Sequence, residues 1–114
     1  MYYLSDSENQ MLEHLKTRHF NINIHTVWLA EDCVTFPLWN LTGQLLGYQR
    51  YRPSGDKNVF NNPTLGKYFT RIKDKKVGVW GLESWKASNT LFVTEGVFDA
   101  TRVTNLGYSA IAIM

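Results

Sequence analysis

The segment that most restricts the fold is residues 90–114, TLFVTEGVFDATRVTNLGYSAIAIM. An apolar run of strand length, LFVT, is followed by Glu-Gly, then by a helix-length stretch closed by Gly107, then by a second apolar run, SAIAI. That order is a βαβ unit, whose strands are parallel and joined by a right-handed crossover. Strands that are apolar along their whole length are buried on both faces, which favours a Rossmann-like sheet.

The unit also says where chemistry belongs. Open parallel sheets bind ligands beyond the carboxyl ends of their strands, and Glu95 stands at that end of the first strand. Gly96 beside it is expected to let the backbone turn sharply, so that the carboxylate projects into the crevice. The position suits a general base or a magnesium ligand. Asp99 falls in the first turn of the helix, where a carboxylate complements the helix dipole, and that role explains it as well as a site role does.

Upstream, Ser5 and Glu8 form a capping box that opens a helix over SDSENQMLEHLKTRHF, with Met11, Leu12 and Leu15 on one face. A second short helix capped by Asn23 is expected over residues 24–29. His14, His19 and His25 have no metal-ligand spacing. From Val34 the period becomes that of strands: VTFPLW and QLLGYQRYR are joined by NLTG, a hairpin signal with Gly43 in the turn. Asn40 to Thr42 matches a glycosylation sequon and reads as part of that turn. KYFTR and KVGVW are further short strands, SGDKNVFNNPTLG is a long loop, and GLESWKA makes one or two helical turns. Tyr48, Arg50 and Arg52 alternate along one side of their strand, with Tyr51 on the other. Cations interleaved with aromatic rings suit single-stranded nucleic acid, and a solvated sheet face is the plain alternative. RIKDKK, with Arg71 and Lys73, either extends that track or is a solvated loop. Trp28, Trp39, Trp80 and Trp85 are expected to pack in the core.

Composition sets the remaining bounds. A chain of 114 residues fits one small domain with a real core, and a net charge of +2 with pI ≈ 8.7 permits a nucleic-acid partner without requiring one. The single cysteine, Cys33, excludes an internal disulfide and a cysteine-cluster zinc site, and a reducing cytoplasm is the expected location. The N-terminus lacks signal-peptide regions, and no apolar run approaches the ~20 residues of a membrane span.

These residues match a family pattern. LFVTEGVFDATRV followed by LGYSAIAIM resembles the first motif of the TOPRIM fold, shared by bacterial-type DNA primases, type IA and II topoisomerases and some nucleases. VTFPLWNLTGQLLGYQRYR, KYFT and VWGLESWKA resemble the segment preceding TOPRIM in DnaG-type primases, and LEHLKTRHF with INIHTVWLA is similar to that family's helical lead-in. The resemblance implies an α+β fold: a helical lead-in over residues 1–30, a small antiparallel β-rich subdomain over 31–89, and the first βαβ unit of a TOPRIM (Rossmann-like) sheet over 90–114. It implies that Glu95 is the catalytic acid/base of nucleotidyl transfer assisted by Mg²⁺ or Mn²⁺, with Gly96 and Asp99 supporting the motif. It assigns Arg50, Arg52, Lys67 and Tyr68, extended by Arg71 and Lys73, to single-stranded DNA and nucleotide phosphates.

Two family features are missing. One cysteine cannot form the family's zinc module, so no zinc is expected, and the Asp-x-Asp magnesium pair of the third TOPRIM strand would lie beyond Met114. Glu95 is then an incomplete metal site, and whether the chain is an enzyme is left open. The expectation is a fragment or truncated form of a TOPRIM primase that binds single-stranded DNA and nucleotides for RNA primer synthesis and is not catalytic alone. The alternative is a stand-alone, non-catalytic nucleic-acid-binding or regulatory protein on a primase scaffold, pairing with a host replication or transcription enzyme. A topoisomerase or nuclease fragment is disfavoured by the upstream segments. In either main reading, Ser109 to Met114 is expected to be an open apolar edge, available to a protein partner or to the remainder of a TOPRIM domain.

Overall fold

A computed structural model describes residues 4–22, 24–30, 32–55, 63–85 and 90–114. Two helices lie against a mixed sheet of seven strands, an α+β fold. Helix α1 spans Asp6–Thr17, and its capping box forms as the sequence implies: Glu8 N donates to Ser5 Oγ at 3.1 Å and Ser5 N to Glu8 Oε1 at 3.3 Å. The helix ends in a Schellman motif, with His19 in the left-handed region at φ 62° and Phe20 N donating back to Leu15 O at 3.0 Å. That turn folds Phe20 back toward Leu15 and leaves Arg18 as the C-cap residue of the helix.

The strands are β1 Trp28–Leu29, β2 Val34–Trp39, β3 Leu45–Tyr51, β4 Tyr68–Ile72, β5 Val79–Trp80, β6 Leu91–Thr94 and β7 Ser109–Ile113. Helix α2, Val97–Asn105, connects β6 to β7, which run parallel, and ends at Gly107 with φ 93°. The sheet order is β4-β3-β2-β5-β7-β6, with β1 also paired to β2. The β2–β3 turn is organised by Asn40, whose Oδ1 accepts from Thr42 N at 3.0 Å, Thr42 Oγ1 at 2.7 Å and Gln44 N at 2.8 Å.

One face of the sheet carries the core. Val34, Phe36 and Leu38 alternate inward along β2 and meet Met11 and Leu15 of α1, Phe98 and Ala100 of α2, Trp80, Ala110 and Ala112. Phe36 lies 5.4 Å from Phe20, 5.9 Å from Phe98 and 6.2 Å from Trp80, ring centre to ring centre. Aromatic pairs at such separations each contribute about 1 kcal/mol beyond area burial. His25 is buried among them: its ring centre lies 4.4 Å from that of Trp80 with the planes tilted by 39°, and its Nε2 lies 3.2 Å from Thr104 Oγ1.

Four expectations are corrected. Residues 24–29 form no helix; a turn leads into β1, because Ile24, Thr26, Val27 and Trp28 are β-branched or aromatic and His25 is drawn into the core. β7 is not an open edge. β5 folds back along it, pairing Val79 with Ile113 and Trp80 with Ala112, while Gly78 and Met114 exchange hydrogen bonds of 3.1 and 2.9 Å. Burial of Trp80 draws β5 there, and among the described strands β6 and β4 end the sheet. Trp80 is core, but Trp28 and Trp85 are half exposed, Trp28 because the strand carrying it is only two residues long. Gly96, fourth, is extended at φ −137°, ψ 152°, so the turn does not require glycine there. Asn23 and most of the loop from residue 54 lie outside the described residues. Among the described residues no helix is long and apolar enough to cross a membrane.

Candidate active-site cleft

A cleft of about 270 Å³ opens where β6 ends and α2 begins, lined by Glu95, Gly96, Val97, Phe98 and Asp99 on one side and by Arg18, Gln49 and Tyr68 on the other. Four separate elements build it. Glu95 and Asp99 come from the βαβ unit, Arg18 from the end of α1, Gln49 from β3 and Tyr68 from β4. A Cβ at residue 96 would meet only Asp99 Oδ2, at 3.7 Å, an ordinary contact, so the space beside the cleft would admit a side chain there. α2 has no side chain bonded across its N-cap, leaving its first amides directed at the same opening.

Arg18 is held from beneath. Its guanidinium carbon lies 3.9 Å from the centre of the Phe98 ring, and Nη1 donates to Tyr51 Oη at 3.1 Å. Tyr51 is buried, with its ring 5.0 Å from Phe98 and 5.1 Å from Tyr68. His14 Nε2 lies 2.8 Å from the same phenol oxygen. While accepting from Arg18, Tyr51 Oη can still donate its own proton to Nε2 of a neutral His14. Burial, with the charges of Arg18 and Lys67, lowers the His14 pKa and so favours that neutral ring. Burial is also the main cause of the raised Tyr51 pKa, and keeps the group a phenol. Among the described residues neither Glu95 nor Arg18 has an ion-pair partner, so both charges face the cleft.

The residues singled out from sequence do not form one surface. Tyr68 pairs with Tyr51 and Phe69 with Arg50, and directly paired residues share a face. Tyr68 therefore lies on the face of the sheet that carries Glu95, and Arg50 with Arg71 on the reverse. Lys67 is at the α1 side, where its charge reaches His14. Arg52 is bonded through Nη1 to Asp32 and its side chain is only 15% exposed, so it is engaged rather than presented. Lys73 is exposed in the turn after β4. Arg18 and Gln49 were not anticipated; the contact that orients Arg18 reaches Phe98, 80 positions along the chain, and nothing local announces it.

A magnesium ion commonly uses one or two carboxylates together with substrate phosphates and water. Glu95 and Asp99 on one cleft wall fit that donor set for one ion, and a two-metal clamp would need further ligands. Among the described residues no group of three His, Cys, Asp or Glu side chains is placed to hold a metal. Comparison with protein-family models, with curated proteins and with solved structures gives no match.

Proposed function

We propose that the chain is part of a TOPRIM-type DNA primase core, and that its cleft binds the phosphates of a nucleotide used in RNA primer synthesis on single-stranded DNA. The observation that carries this reading is the meeting of Glu95 and Asp99 with Arg18 at the carboxyl end of a parallel strand. Arg18, fixed on Phe98 and Tyr51, offers forked donors to a phosphate. The uncapped amides of α2 supply a second set beside it. Glu95 is exposed and positioned to take a proton from a sugar hydroxyl. Glu95 and Asp99 would hold a magnesium ion, which when bound would supply neutralisation of the phosphate charge. Among the described residues Glu95 and Asp99 are the carboxylates that line the cleft, and this chain is expected to bind a nucleotide and not to make primers.

The test is calorimetric titration with ATP in magnesium, alongside a primer-synthesis assay on single-stranded DNA. Binding should weaken at least tenfold in Arg18→Ala, and the dependence on magnesium should weaken in Glu95→Gln. Equal binding by wild type and both variants refutes the cleft assignment. Robust, Glu95-dependent primer synthesis by these residues alone overturns the non-catalytic part.

A second reading is a non-catalytic regulatory protein on the same scaffold. It is favoured by the edge of β6, unpaired among the described strands, where Val93, Phe92 and Tyr108 are exposed and could accept a strand from a replication or transcription enzyme. Under it, Glu95→Gln is silent and Val93→Lys is not.

A further inference from the structure

We infer that His14 is a positioning residue for the cleft: acting through Tyr51 Oη, it keeps Arg18 aligned for phosphate while its ring is neutral and releases it when the ring takes a proton. Nucleotide affinity then follows pH, a role that rests on the cleft being a phosphate site. His14 is not among the residues that line the cleft, so it acts through a neighbour. The link is a single oxygen atom. Tyr51 Oη lies 2.8 Å from His14 Nε2 and accepts from Arg18 Nη1 at 3.1 Å, and Tyr51 is only 1% exposed, which leaves water little access to that oxygen. The rings of His14 and Tyr51 stack at 5.7 Å, holding the imidazole beside the phenol.

A phenol carries one proton and accepts through its lone pairs; a neutral imidazole has one donor and one acceptor nitrogen, and an imidazolium donates from both. With His14 neutral, the bonds run in one direction: Arg18 donates to Tyr51, and Tyr51 donates to Nε2. Protonation reverses the second bond. Nε2 then donates to Oη, the phenol proton loses its acceptor, and two cations meet on one buried oxygen. A buried O–H without a partner and two like charges at this range are both unfavourable. Arg18 is the group free to relieve them. It is the C-cap residue, at the end of α1 and bordering an open cleft, whereas His14 lies inside the helix with its ring against Tyr51.

The groups around His14 set the direction of the response. Burial acts most strongly against an imidazolium, and Arg18 on α1 and Lys67 just before β4 add to it. Tyr51 of β3 faces the ring directly, with Tyr68 of β4 stacked beyond it. On its other side His14 lines a hollow of about 290 Å³ with Ser7, Gln10, Asp32 and Ser54, which gives protons a route that avoids the cleft. Asp32, the carboxylate of that hollow, is bonded to Arg52, and Glu13 on α1 is paired with Lys16, so neither offers His14 an uncompensated negative charge. The ring is therefore neutral above its ordinary 6.5 and gains its proton as pH falls through a lower value. An imidazolium also attracts phosphate, but from behind Tyr51 and through screening, whereas Arg18 meets the phosphate with forked donors. Loss of that direct contact outweighs the attraction.

Two measurements read this linkage. The first follows the ring resonances of His14 by NMR against pH, with and without ATP in magnesium. If bound nucleotide requires the neutral ring, reciprocity makes ATP move the His14 titration to lower pH. Phosphate charge acting alone would move it upward, so the sign separates positioning from simple attraction, and no variant is needed. The second is calorimetric titration with ATP from pH 8 down through the His14 titration, on wild type and on His14→Gln, whose amide accepts the phenol proton and does not titrate. The nucleotide's own titration is common to both proteins and cancels in the ratio of their dissociation constants. That ratio should be steady above pH 7 and turn against wild type by about threefold or more once the ring is protonated. A His14 titration that ATP raises or leaves in place overturns the inference, as do parallel profiles for wild type and His14→Gln; ATP binding that still depends on Arg18 then keeps the cleft reading. ATP bound equally by wild type and Arg18→Ala overturns both.

Discussion

Tyr51→Phe isolates one oxygen atom. The ring is buried, with His14 and Tyr68 stacked against it and Phe98 edge-on, and phenylalanine fills the same volume, so the variant removes the hydroxyl and little else. Two hydrogen bonds go with it, from Arg18 at 3.1 Å and with His14 at 2.8 Å. A bond to a charged group contributes about 1.5–3 kcal/mol and a neutral one about 1 kcal/mol. Arg18 borders an open cleft and regains water when released, so its share belongs at the low end, and the sum is about 2.5 kcal/mol. In a domain of this size that is a fall in Tm of roughly 10 °C. Urea unfolding at pH 7.5 should give a lower midpoint with an unchanged slope, since the surface exposed on unfolding is the same. Arg18 should also become mobile, and ATP affinity should fall by less than in Arg18→Ala, because the stacking on Phe98 at 3.9 Å is retained. A Tyr51→Phe midpoint within about 0.5 kcal/mol of wild type would refute the view that this hydroxyl anchors Arg18.

Two further outcomes follow from the same structure. Gly47→Ala should cost at least about 2 kcal/mol, because its Cβ would collide with the backbone of β4; thermal unfolding measures the loss. Stability should also decline in acid, in two windows. His14, held below its ordinary 6.5, binds its proton more readily in the unfolded chain, so stability is full above pH 6.5 and falls as pH drops through the lower folded value. Glu83 behaves similarly below 4.5: burial works to raise its pKa, but the nearby His25 ring and the amides of Thr26 and Glu83 outweigh it, so its contribution is lost as pH falls through the depressed value. Urea midpoints from pH 8 to pH 3 check both, and His14→Gln should remove the upper window alone.

Local signals made much of the fold legible. The Ser5–Glu8 box, the Asn40–Gly43 turn, the period-two runs of β2 and β3 and the β6–α2–β7 unit are each written in a few adjacent residues, and each forms as read. What the sequence hid depends on contacts between distant segments. Val79 and Trp80 give no local sign that they pair with β7, and without them β7 is wrongly taken for an edge. The candidate site divides the same way. Glu95 and Asp99 were visible from a strand-end carboxylate and a helix start, whereas Arg18 reaches the cleft only because a left-handed histidine ends α1 over Phe98. Alternation correctly separated Tyr51 from Arg50, but pairing of β4 was needed to show that Tyr68 goes with Tyr51.

β7 is flanked by an antiparallel neighbour on one side and a parallel one on the other, and this has a kinetic consequence. The β2–β3–β4 meander can form from contacts close in sequence, and α2 from its own turns, but β5 and β6 do not touch until β7 is laid between them. Closing that gap brings together positions more than 30 apart, a loop-closure cost met only late in folding. The amides of Ala112 and Ile113 should therefore exchange with solvent only through global opening, while those of the outer β3–β4 pair are released by smaller fluctuations. Every substitution that loosens β7 is then expected to speed unfolding of the whole sheet more than it slows formation of the hairpins.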